Sequence, residues 1–391
     1  MSENVDRALV FEDQSPGPGT HAIIIGIGHY DALQGGANED SELSADMDQL
    51  AAPPRSAEAL AGWFLESFYN PDRPLKSLSL ILSSGTDPAI FSHERANHAE
   101  ALPNGTIEVT TKAILAWARR ASSDPENLAI FHFCGHGVST GEPILLLRDY
   151  GVDPDSRFDR TINFNDFVMA MQTRRPRHQL FLIDACRVPD PIARNVPKHH
   201  VGRSCIDPLP STSRGELARQ SVHHSTSDLA PAYGRTSGAS LYTEALLQAL
   251  DGGGIQQNFD AFVSTLGLQT ALDAYIARAT AREKVEQQPQ LTRSHQFTIH
   301  KPSNVRIPLY VVSDPAAALK NARVEAMLGG IIGDYYDSVE HGQKEEWTTT
   351  LPMREHTIVA KFQDHLGYKE EEVIKMLVPP EVSCKIKCRR R

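Results

Sequence analysis

LAIFHFCGHG (Leu128–Gly137) and QLFLIDACR (Gln179–Arg187) are two short apolar runs, each closing on a reactive side chain. Their aromatic and β-branched content predicts buried strands. The first run ends in Cys134-Gly135-His136-Gly137 and the second in Asp184-Ala185-Cys186-Arg187. In a parallel sheet, functional groups collect in the crevice beyond the carboxyl ends of the strands. If the two runs are parallel neighbours, His136 and Cys186 share one rim. A thiol attacks a carbonyl as thiolate, and an adjacent imidazole can take its proton. Gly135 and Gly137 allow a tight turn and a close approach of backbone. Their N–H groups, with that of Cys186, are candidate oxyanion donors.

Outward from this pair, strand and helix signals alternate. HAIIIGIGHY (His21–Tyr30) predicts a buried strand that runs into a loop, and residues 31–50 read as a polar, acidic loop. Ser56–Tyr69 predicts an amphipathic helix with Ser56 as its N-cap. Lys76–Ser83 predicts a strand, Thr110–Ala121 and Phe164–Thr173 predict helices, and Gln220–Thr226 predicts a further strand. Ser240–Leu250 and Phe259–Thr280 predict helices, and Gln296–His300 a last strand. The alternation implies an α/β fold, with a mostly parallel sheet and helices on both faces. Residues 187–219 interrupt it with prolines and arginines and read as one long exposed loop. After Lys301-Pro302 the runs become short and alternating, which predicts a small β-sandwich-like domain over 303–391. The expected organisation is a polar N-terminal segment (1–20), an α/β domain (21–302) and this β domain, assigned to recruitment or regulation.

The chain has 391 residues, with 39 Lys and Arg against 49 Asp and Glu, a net charge of −10. That balance disfavours nucleic acid and anionic membrane as general partners. No apolar run approaches the ~18 residues of a membrane span. The N-terminus lacks the basic start and apolar stretch of a signal peptide, so a cytoplasmic location is expected. Five scattered cysteines do not suggest a disulfide framework. Cys384 and Cys388 lack the second pair of a zinc site, and His199-His200 and His223-His224 form no ligand pattern. No metal site and no cofactor are expected.

HAIIIGIGHY, FHFCGHG (131–137) and FLIDACR (181–187), in that order, resemble the caspase-like clan of cysteine peptidases, most closely its metacaspase and bacterial branch. SLYTEALLQAL (240–250) is similar to a helix of the bacterial members, and the resemblance covers about residues 20–300. His136 and Cys186 are 50 residues apart, matching the spacing of about 50 in the caspase signature. The resemblance implies a caspase-hemoglobinase fold and proteolysis of protein substrates, with His136 as general base and Cys186 as nucleophile. It also makes a regulated protease of a bacterial defence or cell-death pathway, switched on by an activator protein, the expected role.

Asp184 lies two residues before Cys186, and residues two apart on a strand point the same way. Metacaspases carry an acid at this place where animal caspases carry glutamine, and Asp228 falls near a second acid of their pocket. Two carboxylates would select Arg over Lys by bidentate pairing. If the chain cuts after Arg, Arg194, Arg203, Arg214 and Arg219 become candidates for self-processing. The acidic residues 39–48 invite calcium dependence by the same resemblance, although they lack EF-hand spacing. The competing reading is a caspase fold serving as a non-proteolytic interaction module. A phosphate-binding loop is rejected, because IIIGIGHY carries a lone G-x-G.

Overall fold

The computed structural model describes residues 7–85, 88–96, 101–189, 201–210, 216–227, 237–256 and 261–391. Asp228, Arg194, Arg214 and the His199-His200 pair lie outside them. The chain divides into two units, one of residues 1–247 and 264–301, the other of 248–263 and 302–391.

The larger unit is built on seven strands: β1 (Leu9–Glu12), β2 (Thr20–Ile27), β3 (Leu75–Ser83), β4 (Leu128–Gly135), and, after short strands β5 (Gly137–Ser139), β6 (Pro143–Leu146) and β7 (Thr161–Asn163), β8 (His178–Ala185). Beyond β9 (Val188–Pro189), β10 (Arg219–His224) and β11 (Gln290–Ser294) complete the set. Their order is β1-β3-β2-β4-β8-β10-β11. The pairs β2–β3, β2–β4, β4–β8 and β8–β10 are parallel, and the two edges are antiparallel. The central strands β2, β3, β4 and β8 are buried along their full length, as their apolar runs require.

The helices are α1 (Ser41–Asp46), α2 (Ala52–Glu66), α3 (Ile107–Ala121), α4 (Phe164–Gln172), α5 (Leu241–Gln248) and α6 (Thr265–Glu283). Strand alternation sorts the two faces. Ile23, Ile25, Phe131, Phe133, Phe181 and Ile183 pack with Trp117 of α3 and Phe167 of α4 in one core. The buried indole of Trp117 also donates to the His21 carbonyl at 2.9 Å. The even-numbered residues of β4 and β8, among them Cys134 and Asp184, point to the other face. After β2 the chain crosses to β3 on one side and then returns past β2 to β4. The sheet therefore has its switch point at the carboxyl ends of β2 and β4, where a crevice is expected.

Several local expectations are corrected. α2 starts at Ala52, because Pro53 and Pro54 fit a first helical turn that lacks N–H partners anyway. Ser56 is therefore an interior residue and not the N-cap. α6 starts at Thr265, capped by the Ser264 side chain, which accepts the Gly267 N–H at 3.1 Å. The polar N-terminal segment holds edge strand β1, and the 31–50 loop holds α1.

Residues 187–219 are not one exposed loop. Val201, Cys205 and Ile206 are buried in the main core. Arg203 pairs with β7, exchanging hydrogen bonds of 2.9 and 3.0 Å with Thr161 and Asn163. Arg219 opens β10, and its N–H donates to the Arg177 carbonyl at 2.7 Å. Among the described residues, no helix is long and apolar enough to cross a membrane.

The smaller unit holds a three-stranded sheet centred on Arg306–Asp314, flanked by Glu346–Pro352 and Val382–Lys387. A four-stranded antiparallel sheet runs in the order Ile331–Asp337, Ala322–Leu328, Glu355–Phe362, Glu371–Met376. Both sheets feed one core, which includes Leu309, Val311, Val324, Tyr336, Trp347, Ile358 and Cys384. Cys384 is thus a buried core residue.

Candidate active site

β4 and β8 run in parallel register, with Cys134 opposite Asp184 and Gly135 opposite Ala185. The same 50-residue offset resumes where Val138 of β5 pairs with Val188 of β9. His136 and Cys186 therefore leave adjacent strands at the same level, and neighbouring strands lie about 4.8 Å apart. A Cβ on Gly137 would sit 2.6 Å from the Cys186 carbonyl oxygen. Only glycine permits this approach, which brings the His136 turn against the Cys186 backbone. Both His136 and Cys186 are half-buried.

His136 is held at two points, one on its ring and one on its backbone. The His136 Nε2–H donates to the Asp48 backbone carbonyl at 2.7 Å, and the His136 backbone N–H donates to the Tyr30 hydroxyl at 2.7 Å. The Tyr30 ring lies against the imidazole, 5.0 Å between centroids. A carbonyl only accepts, so this bond leaves Nδ1 of the neutral ring as its basic atom. Burial holds the His136 pKa below the ordinary imidazole value, against the opposing influence of Asp48. The ring is therefore neutral and able to accept a proton at neutral pH. Burial pushes up the thiols of Cys134, Cys205, Cys384 and Cys388, which disfavours each as nucleophile.

Residues 20–298 match the caspase domain of the C14 peptidases. The chain belongs to the caspase domain family.

An uncharacterised protein of Sinorhizobium fredii is 28% identical over 221 residues, covering 50% of this chain and 58% of that protein. A probable protease of a Desulfuromonadales bacterium is 28% identical over 193 residues, covering 46% of this chain and 21% of that protein. The chain thus spans less than two thirds of each of these curated relatives. Among solved structures, caspase-1 of Spodoptera frugiperda is similar at 14% identity and a TM-score of 0.44, covering 77% of this chain and 98% of that one. Protein GSU0716 of Geobacter sulfurreducens is similar at 13% and 0.40, covering 73% and 95%.

Within this caspase domain Asp184 is buried, 5% exposed, on the sheet face that carries Cys134. Its carboxylate accepts hydrogen bonds from the Ser240 hydroxyl, from Cys134 Sγ at 3.2 Å and from Thr243 Oγ1 at 3.3 Å. Burial raises its pKa, and the Ser240, Cys134 and Thr243 donors oppose that rise. Ser240 in turn donates its N–H to Ser56 Oγ of α2 at 3.0 Å. The Tyr242 phenol is buried and has no hydrogen-bond partner among the described residues. Burial, Asp184 and Cys134 push its pKa up.

The acidic loop is tied down by arginines. Asp31 pairs with Arg148 at 2.9 Å, and Arg157 pairs with Asp40 at 3.5 Å and with Glu42 at 3.1 Å. Among the described residues no group of three or more His, Cys, Asp or Glu is placed to hold a metal. His223 belongs to a buried chain, with its ring nitrogens 2.9 Å from Ser221 Oγ and from Gln269 Oε1. Sequence reasoning missed Tyr30, Ser240 and Thr243 as parts of this region. It also missed the Asp48 carbonyl, a backbone group with no residue signature.

Proposed function

We propose that the chain is a cysteine endopeptidase that cuts protein substrates after basic residues, Arg before Lys. The observation that carries this reading is the parallel register setting His136 level with Cys186, with the imidazole fixed as a base by the Asp48 carbonyl. His136 Nδ1 takes the Cys186 proton as the thiol attacks the scissile carbonyl. The N–H groups of Gly137 and Cys186 receive the oxyanion. The protonated imidazole then delivers its proton to the leaving amine, and water hydrolyses the thioester.

Asp184 supports the basic preference. A guanidinium offers charge-assisted donors stronger than the hydroxyls that now occupy the carboxylate, and the Tyr242 hydroxyl supplies a further acceptor. Asp228 is kept as a second pocket acid. Self-processing is assigned to Arg194 or Arg214, since Arg203 and Arg219 have backbones committed to strand pairing that a cleft-bound segment must give up. An activator protein, a defence role and calcium dependence belong to the same proposal.

Fluorogenic peptides ending in Arg, Lys, Asp or Leu test it, with and without calcium and with Cys186→Ala as control. Cleavage after Arg above Lys by wild type alone is the expected result. Cleavage after Asp would sink the acidic pocket and keep the dyad. A second measurement follows from His136. Because burial keeps the ring neutral to lower pH, the acidic limb of kcat/KM is expected to have its midpoint below the ordinary imidazole value of about 6.5. A limb at or above that value would contradict a desolvated base.

A further inference from the structure

The groups that orient His136 share one anchor. The Gln49 side chain clasps the backbone of Tyr30, with Oε1 accepting the Tyr30 N–H at 2.7 Å and Nε2 donating to the Tyr30 carbonyl at 2.9 Å. Nε2 also reaches the Gln34 carbonyl at 3.1 Å. The residue before Gln49 is Asp48, whose carbonyl takes the imidazole N–H. The residue after it is Leu50, whose N–H donates to the Gly28 carbonyl at 2.8 Å. Tyr30 itself is fully buried, accepts the His136 N–H and donates its hydroxyl proton to the Ile27 carbonyl at 3.1 Å. A Cβ on Gly135 would lie 2.9 Å from that hydroxyl, so the turn is shaped around it.

We propose that Gln49 is a positioning residue for the His136 base. It locks the Asp48 carbonyl and the Tyr30 hydroxyl into one frame, so that ring and backbone of His136 are held by a single clamp. The role rests on the peptidase reading above. No other amino acid makes the same pair of bonds at this reach: glutamate keeps the acceptor and loses the donor, and alanine loses both. Without the clamp, residues 47–50 keep the Leu50 bond but lose the fixed aim of the Asp48 carbonyl. Gln49 is half-buried at the surface, so its removal leaves the sheet intact. The titratable groups set against the imidazole are Asp48 and Tyr30, with Cys186 level with it on the neighbouring strand end, and none of them is altered by the substitution.

The test compares wild type, Gln49→Ala, Gln49→Glu, Tyr30→Phe and His136→Ala in the full chain. Three quantities are read: kcat and KM on an Arg peptide, the pH profile, and the rate of Cys186 alkylation by iodoacetamide, followed by mass spectrometry of the peptide bearing Cys186. Gln49→Ala is expected to lower kcat by about 10- to 100-fold, a misplaced-group effect, with KM changed less than twofold. Its acidic limb should move up in pH, as water admitted beside His136 returns the ring towards its ordinary value. Its alkylation rate at pH 7 should fall towards that of His136→Ala. Gln49→Glu should recover part of kcat, and Tyr30→Phe should repeat the kcat loss.

Gln49→Ala with kcat, limb and alkylation rate all within twofold of wild type overturns the clamp and spares the peptidase. Alkylation that is slow in wild type and unchanged in His136→Ala overturns both. A wild type silent on every peptide, yet alkylated fast in a manner that Gln49→Ala slows, upholds the clamp and overturns only the reading of a chain that cuts without its activator.

Discussion

Cys186→Ala is expected to lower kcat/KM for an Arg peptide by about 10⁴-fold or more, and His136→Ala by a similar factor, as nucleophile and base act as one unit. The double variant should then be no slower than either single one, since the second substitution removes a group that already has nothing to serve. Initial rates on purified chains, with thermal melting to confirm folding, check this. The five thiols stand in different surroundings. Cys134 is 2% exposed and donates to Asp184, Cys205 and Cys384 are core residues, and Cys388 belongs to the smaller unit. Cys186 is half-buried at the end of β8, level with His136. Cleavage retained within tenfold in Cys186→Ala and lost in Cys134→Ala would move the nucleophile and end the dyad proposal.

The residues differ in how far sequence reveals them. Strands β2, β4 and β8 are legible because a strand buried on both faces must be apolar along its whole length, and IIIGI, AIFHF and FLI are little else. His136 and Cys186 are legible because glycine and alanine beside them leave room for a tight rim. The strap at Val201–Ile206 is hidden because its apolar residues are too few and too irregularly spaced to show a period. The left-handed backbones at Gly202 and Cys205 let it enter the core all the same. The clamp is less visible again. Asp48 contributes a carbonyl that any residue could supply, and Gln49 bonds backbone groups that only the fold brings near. Asp184 lies between these cases. Its spacing from Cys186 gives its direction along the strand, but nothing local announces Ser240 and Thr243, which are more than 50 residues away in sequence.

Asp184→Asn separates selectivity from stability. Removing the carboxylate is expected to lower kcat/KM for Arg peptides by about 10²- to 10³-fold, the size of the loss when one partner of a buried charge pair is taken away, and to leave peptides with neutral side chains nearly unaffected. Stability should change in the opposite sense. Burial raises the folded-state pKa of Asp184, so folding favours its protonated form. Below the ordinary carboxylate value of about 3.9, both folded and unfolded chains are protonated, and aspartate and asparagine should melt alike. As pH rises from there towards the raised folded value, the unfolded chain ionises first and wild type loses stability. Above the folded value the deficit is constant. Asparagine has no such titration, so its melting temperature should draw ahead of wild type across this window and stay ahead at neutral pH. Melting curves from pH 3.5 to 8 read the difference directly. An asparagine variant that melts lower than wild type at pH 7 and keeps its Arg preference would show the carboxylate to be a structural acceptor for Ser240 and Thr243. One that melts higher and loses that preference would show a buried charge kept at a cost in stability because a basic substrate side chain needs it.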